Sequence, residues 1–344
     1  MSEIFNAIKR KEFDRVKCIV MNNPNCVHVK DEQKLTPLDC CITYGQLEIA
    51  KFLYEKGGRP NLENYRDGEW TPVHWIAQCR YTATLKWVFE NKVLPLFVLN
   101  VKDDDEWTPL DKAIAFGNLN LETVQYLWEM GGRPNLDIYN RDGKNTPVHE
   151  AARIGKTAIL KWVFAKSILP LRVLTIKNKY ELTPLDVAIY WTLLDATIHF
   201  IPFDPIRFGS LELVQFFFEI GGRPNLEIYN RDGESSPVHN GACCGDIATL
   251  KWIFTKKVLP LSVLNIKNWD GCTPLDVAIS EKKWKTAALL RRLLYVEPVF
   301  LVMHRAKRDF HQMCVLRRLP NELLDMVVDE VATRHNLVVV WSSL

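Results

Sequence analysis

The sequence predicts an all-α solenoid, in which pairs of short helices and protruding turns repeat along the chain. Three observations support this fold class. A four-residue motif, TPLD, TPVH or SPVH, recurs with the Asp and His types in strict alternation. Apolar residues with helical spacing follow each motif, and a Gly-Gly pair follows the second helix of three units. The motifs begin at residues 36, 71, 108, 146, 183, 236 and 273, so that steps of 35 to 38 residues are broken by one step of 53.

The first helix of each unit is predicted to begin at its motif. A hydroxyl side chain suits the N-cap, and proline suits the first helical position because its missing N–H would have no partner there. Leu110 and Ala113 then follow at helical spacing, and a second helix has its own stripe at Leu121, Val124 and Leu127.

The hexapeptide GGRPNL occurs at 57–62, 131–136 and 221–226. Glycines beside an arginine suggest a phosphate-binding loop, but such loops precede a helix, whose N–H groups face the anion. These glycines follow a helix, where the first can adopt the left-handed cap conformation and the proline prevents continuation. We therefore interpret GGRPNL as a helix stop.

Composition limits the functional classes. With 47% apolar residues, the composition is typical of a folded soluble protein. The net charge of +3 is too small to indicate a nucleic-acid or membrane partner. It shows neither a signal peptide nor a membrane-spanning run, and nine cysteines without a secretion signal favour an intracellular, cytoplasmic protein. The basic cluster RAKR at 305–308 leaves the nucleus open as an alternative.

No pattern in the sequence indicates catalysis. His74, His149 and His239 occupy equivalent positions, but stacked helices place alternate units about 20 Å apart, whereas zinc ligands lie about 2 Å from the metal. We expect each histidine to bond to backbone near its helix start. The sequence also lacks a nucleophile–base set. We therefore predict that the protein is not an enzyme and has no catalytic residue, metal or cofactor.

The recurring motifs resemble the ankyrin repeat. The resemblance rests on TPLD-x-AI, an interhelix glycine such as Gly45, a second amphipathic helix, GG-x-x-N and a DG turn. It covers residues 1–297 as about eight units, with a degenerate first repeat at 1–33. An insertion, 190–207, accounts for the long step and interrupts the link between two helices; a docking element, part of a partner site and a mis-assembled gene are open alternatives.

The resemblance implies a binding module for a protein partner on the concave face of a monomeric array. In such arrays, turn tips and the ends of first helices contact the partner. Trp70 and Trp107 each precede a TP dipeptide, where an interface anchor and packing against a neighbouring turn are equally open interpretations. Asp104 belongs to the acidic run DDDE, which is either solvated or faces a basic partner. The predicted partner-binding residues are Tyr44, Trp70, Arg80, Asp104, Trp107, Phe116 and Arg153.

The segment 298–344 is predicted to form a short helical tail. Its LPNELL stretch resembles the start of an F-box, the helical motif by which substrate receptors dock the Skp adaptor of cullin ubiquitin ligases. The adaptor-docking residues would be Leu319, Pro320, Glu322, Leu323 and Leu324. The same apolar helix face would equally seal the open end of the array, as repeat proteins require. The function is thus either a ligase substrate receptor or a plain scaffold with a capped end.

Overall fold

The computed structural model describes residues 3–66, 70–79, 81–116, 121–140, 143–194, 209–231 and 233–296. Within these ranges the chain is helical and contains no β-strand. Consecutive helices pack against each other in pairs along the described chain, so the predicted class, an all-α ankyrin-repeat solenoid, is confirmed. Among the described helices, none combines the length and apolar character that crossing a bilayer requires.

The helices are numbered in chain order. They are α1 Glu3–Lys9, α2 Phe13–Asn22, α3 Pro37–Thr43, α4 Leu47–Glu55, α5 Pro72–Gln78, α6 Thr82–Glu90, α7 Pro109–Phe116, α8 Leu121–Glu129, α9 Pro147–Ile154, α10 Thr157–Ala165, α11 Pro184–Leu194, α12 Leu211–Glu219, α13 Leu226–Tyr229, α14 Pro237–Cys244, α15 Ile247–Thr255, α16 Pro274–Ser280 and α17 Trp284–Arg291. The stretches after the second helices form short 3-10 turns at Pro24–His28, Leu62–Asn64, Leu96–Asn100, Ile138–Asn140, Leu171–Thr175 and Leu261–Asn265, and a π turn covers Arg292–Val296.

The described residues fall into two compact units. The first contains residues up to 188 together with 212–223, and the second contains 189–211 and residues from 224 onward. In the first unit, helices α3, α5, α7 and α9 pack side by side in sequence order. In the second, α16 packs against both α14 and α17. Leu110, Ala113 and Leu127 are fully buried in the first unit, which is the result expected from their spacing.

The TPLD motif forms the predicted helix start, and its aspartate also bonds to the turn after the second helix. Thr36 caps α3 by accepting the Asp39 N–H, and the Asp39 carboxylate accepts the Thr36 N–H at 2.9 Å. The same carboxylate also accepts the Asn61 N–H at 2.9 Å and the Tyr65 hydroxyl at 2.8 Å. Because Asn61 and Tyr65 lie in the turn after α4, one buried side chain joins a helix start to the following turn.

The TPVH motif uses its histidine in a different way. His74 Nδ1 accepts the Thr71 N–H at 3.2 Å, and its Nε2 lies 3.1 Å from the Val101 carbonyl and 3.0 Å from the Trp107 carbonyl. An imidazole that accepts at Nδ1 donates from Nε2. The histidine therefore binds the next turn through two carbonyl acceptors, and the expectation that it bonds to backbone is confirmed. His149 and His239 make corresponding contacts.

The GGRPNL segments act as helix stops. Gly57 has a φ of +89° and follows α4, and the Gly58 N–H returns to the Leu53 carbonyl at 2.8 Å. The Arg59 guanidinium donates to the Tyr54 carbonyl, which also accepts the Gly57 N–H, and to the Gly58 carbonyl. Arg133 and Arg223 repeat this arrangement. The arginine is thus part of the cap.

The described start of the insertion is helical. Residues 190–194 lengthen α11, which has 11 residues against 8 in α7. Helical backbone continues here because WTLL is apolar and contains neither glycine nor proline. Residues 195–207 lie outside the described part of the chain.

Candidate functional site

The first unit contains an aromatic groove beside α3 and α5, with a volume of about 670 Å³. Four aromatic side chains line it: Tyr44, Trp70, Trp75 and Tyr81. Trp75 is 45% exposed, Tyr44 39% and Trp70 37%, which is unusual for large apolar side chains that share one surface. The centroids of the two indole rings are 5.3 Å apart, with the rings tilted by 46°.

Helix ends position these rings. Tyr44 is the first residue after α3, Trp70 precedes the Thr71 N-cap of α5, and Trp75 lies on α5 itself. Tyr81 precedes α6 and covers Gly45, where a Cβ would overlap the tyrosine ring. Gly45 also has a φ of +65°, so both backbone conformation and ring packing require a glycine at this position.

The Trp70 ring belongs to a group of contacting side chains that we call the lysine cluster. Its members are Lys112, Asp103, Trp70, Trp107 and Phe116. The Lys112 ammonium lies 2.7 Å from the Asp103 carboxylate and 3.9 Å from the centroid of the Trp70 ring. It is also 4.6 Å from the centroid of Trp107, which stacks on Phe116 with centroids 5.6 Å apart. The side chains of Lys112 and Asp103 are 2% and 0% exposed. An ion pair in such surroundings fixes the rings that contact it.

The lining of the groove also includes charged side chains. Asp31 and Lys9 line it, together with Cys40. Burial raises the pKa of the Cys40 thiol to about 12, with further contributions from Asp31 and Asp39, while Lys9 acts in the opposite direction. The thiol is therefore neutral near pH 7, and it is not a nucleophile.

The structure distributes the predicted partner-binding residues among different surroundings. Tyr44 and Trp70 line the groove, as described above. Phe116 is half-buried in the lysine cluster, and Asp104 is exposed at the tip of the turn before α7. Arg153 lies on α9, is half-buried and pairs with Glu150 at 2.8 Å.

Two residues of that region differ from the sequence-based expectations. Trp107 is only 8% exposed and packs against Lys112 and Phe116 of the helix that it precedes, and no contact with a neighbouring turn is needed to bury it. Asp103, expected at a solvated acidic tip, is buried because Lys112 neutralises its charge. Arg80 lies outside the described residues, as do the adaptor-docking residues Leu319, Pro320, Glu322, Leu323 and Leu324.

Sequence reasoning missed Trp75 and Lys112. Both carry a signal when the units are aligned on their motifs. Trp75 stands where the other TPVH-type units have Glu150 and Asn240, and Lys112 stands where the other TPLD units have Cys40, Val187 and Val277. A lysine at a position that is otherwise small and neutral indicates a buried partner of opposite charge.

The titratable clusters of the described residues offer no reactive group. Burial lowers the pKa of His74, which keeps its imidazole neutral and engaged with backbone. The carboxylates of Asp103, Asp104 and Asp105 lie within 4.8 Å of one another, but Lys112 occupies the buried one. This cluster is therefore an ion-paired turn.

Comparison with known proteins agrees with this architecture. The Ankyrin repeat family model matches residues 33–65. The human transient receptor potential cation channel subfamily A member 1 is 28% identical over 167 residues, which is 47% of this chain but only 14% of the channel. The probable 26S proteasome regulatory subunit p28 of Saccharomyces cerevisiae is 26% identical over 160 residues, 46% of this chain and 67% of that protein. The crystal structure of the human ASB11 ankyrin repeat domain superposes with a TM-score of 0.47 at 18% identity, covering 74% of this chain and 97% of the other.

The repeated hairpins with capped TPLD and TPVH starts define a helical-repeat interaction scaffold. The family match over residues 33–65 supports a more specific statement: the chain contains a recognisable ankyrin repeat, and ankyrin repeats serve as protein–protein interaction modules.

Proposed function

We propose that the protein binds a partner protein through the aromatic groove. The observation that carries this proposal is the exposure of Tyr44, Trp70 and Trp75 on one preformed surface. Tryptophan and tyrosine are the residues most enriched among those that dominate binding energy at interfaces. Because the buried Lys112–Asp103 pair fixes Trp70 before a partner arrives, little side-chain entropy is lost on binding.

A Trp75→Ala variant tests the groove. Trp75 contacts solvent along α5, so its removal leaves the core intact. The matched control is Trp269→Ala, which removes the same side chain from a turn tip in the second unit, where the tryptophan is 77% exposed. Proximity labelling with the full chain is expected to lose its main partners with the first variant and keep them with the second. Equal labelling by both variants would place binding elsewhere.

We further propose that the chain is a substrate receptor that connects the bound protein to a cullin-type ubiquitin ligase. The support is the LPNELL stretch, in which Leu319, Pro320 and Glu322 to Leu324 correspond to the adaptor-docking start of an F-box. The alternative is a scaffold whose tail only caps the array.

Adaptor binding separates these two functions. The full chain and a chain ending at Val315 are compared for binding of the purified Skp adaptor, with Leu323→Glu as a point variant in the full chain. Binding by the full chain alone supports the receptor. Absence of binding in all three, with loss of folding on truncation, supports the cap.

We place this activity inside the cell, in the cytoplasm or nucleus, with one copy of the chain as the binding unit. The eight cysteines of the described part are all free thiols, which fits a reducing compartment.

A further inference from the structure

The turns before the four TPLD helices share one internal hydrogen-bond pattern. In each, an Asp or Asn side chain accepts the backbone N–H groups two and four residues later. The four side chains are Asp31, Asp103, Asn178 and Asn268, with N–H···Oδ1 distances between 2.8 and 3.0 Å. Since asparagine performs this role in two turns, the turn itself does not need a negative charge.

Whether the turn side chain is charged correlates with the residue type at one position of the next helix. The second oxygen of Asp103 pairs with Lys112 at 2.7 Å. The position of Lys112 is occupied by valine, Val187 and Val277, in the units whose turns hold asparagine. A carboxylate thus occurs with a lysine, and an uncharged amide occurs with a valine.

Asp31 breaks this correspondence, because it is a carboxylate opposite a neutral thiol. The Cys40 thiol donates a weak hydrogen bond to its second oxygen at 3.9 Å, and Asp31 forms no ion pair with any of the described residues. Asp31 is half-buried and lines the aromatic groove. Within the described part of the chain, the Asp31 carboxylate therefore lines the groove without an ion-pair partner, and its second oxygen accepts only the weak hydrogen bond from the thiol.

We propose that the groove takes a partner segment carrying a lysine or arginine, whose cation pairs with Asp31 while its stem lies against the aromatic rings. This inference rests on the proposed binding of a protein in the groove. The lysine cluster is its internal template, because it already joins a carboxylate, an ammonium and the Trp70 ring in the neighbouring repeat. The partner's cation would pair with Asp31 in the way that the Lys112 ammonium pairs with Asp103.

Lys9 also lines the groove, and its positive charge repels a bound cation. It is therefore a second residue at which the proposal can be tested. A cationic segment would gain from the attraction of Asp31 and from the faces of the indole rings. It would lose from repulsion by Lys9. Neutralising each of these two side chains is therefore expected to change affinity in opposite directions.

The test uses dodecapeptides selected from a random display library against the full chain, then measured by fluorescence anisotropy. Asp31→Asn is the main variant, because Asn178 and Asn268 show that an amide supports the same turn. Glu32→Gln is the control, since it removes one exposed charge from the adjacent position. Lys9→Gln is the variant of opposite sign.

We expect the selected peptides to be enriched in lysine or arginine, and Asp31→Asn to weaken them about 10-fold or more, as loss of a charge-assisted hydrogen bond implies. Glu32→Gln is expected to stay within about 2-fold and Lys9→Gln to strengthen binding by a few-fold at low salt. A peptide whose basic residue is replaced by glutamine should bind the wild type and Asp31→Asn equally.

The outcomes distinguish this inference from the function on which it rests. Peptides that need Trp75 but bind Asp31→Asn and wild type equally would overturn the cationic partner and leave the groove as a binding site. Selected peptides rich in acidic residues would do the same. Peptides that depend on neither Trp75 nor Asp31 would overturn both the cationic partner and the groove.

Discussion

The buried Lys112–Asp103 ion pair gives the sharpest prediction of stability. Its two side chains are 2% and 0% exposed, and the charged atoms are 2.7 Å apart. Removal of one member of a buried pair leaves the other charge without compensation, at a cost of about 3–5 kcal/mol. Lys112→Val and Asp103→Asn are each expected to lower the free energy of unfolding by an amount in this range.

The double variant is expected to behave differently. Lys112→Val with Asp103→Asn recreates the combination found in two other repeats, Asn178 with Val187 and Asn268 with Val277. Both charges leave the core, and the asparagine keeps the two backbone hydrogen bonds of the turn. The remaining loss is the shortened stem, for which about 1 kcal/mol is reasonable at roughly 0.8 kcal/mol per buried methylene. The double variant should therefore be more stable than either single variant.

Urea denaturation of the full chain, followed by tryptophan fluorescence and circular dichroism, measures this cycle. Trp70 and Trp107, two of the eleven tryptophans, surround the lysine, so the fluorescence signal includes this repeat, while circular dichroism follows the helices of the whole array. The Lys86–Glu122 pair is the control, because it has a similar distance of 2.6 Å but is exposed. Lys86→Ala is expected to leave the midpoint unchanged within error. Additive effects of the two substitutions, or single variants as stable as the wild type, would refute the reasoning.

Three further predictions concern the repeat framework. Burial lowers the pKa of His74 and of His239 in the folded chain. As the pH falls below about 6.5, the unfolded chain therefore takes up protons before the folded chain does. Urea midpoints should decrease between pH 7.5 and pH 5.5, and the decrease should be smaller in His74→Gln. Leu110→Ala should cost about 2–5 kcal/mol in urea melts because its fully buried side chain would leave a cavity, and an unchanged midpoint would contradict the assignment of the core. Gly131→Ala should cost about 1–2 kcal/mol in the same assay, since at a φ of +99° with open space around the Cβ the backbone alone resists the change; a neutral result would show that this cap relaxes.

Local sequence signals were sufficient for the helix starts and stops. A threonine, a proline and a residue that bonds back to the cap lie within four positions, so the start of α3 can be predicted from TPLD alone. The Gly-Gly stop after α4 is equally local, because its left-handed glycine follows from backbone sterics. These predictions needed no knowledge of the neighbouring repeat.

The groove required information that the repeated motifs do not contain. Lys112 contacts both Trp70 and Trp107, and both tryptophans precede a TP dipeptide, but only Trp107 has Phe116 to stack on and is buried. The burial of Asp103 similarly depends on a lysine nine residues later on α7. Such pairings follow from the packing of particular side chains, for which residue type and spacing along the chain are poor guides.

The alternation of TPLD and TPVH follows from complementary hydrogen bonding. Asp39 only accepts, so the turn after its unit must supply donors, which are the Asn61 N–H and the Tyr65 hydroxyl. His74 donates from Nε2, so the next turn must supply acceptors, which are two backbone carbonyls. Each motif is therefore complementary to the turn that follows it, and a unit duplicated together with that turn keeps its buried polar groups paired. Because these framework side chains are already bonded within the chain, we expect recognition to use residues outside the motifs, and in the described first unit the proposed ones are the exposed rings of the groove and the Asp31 carboxylate.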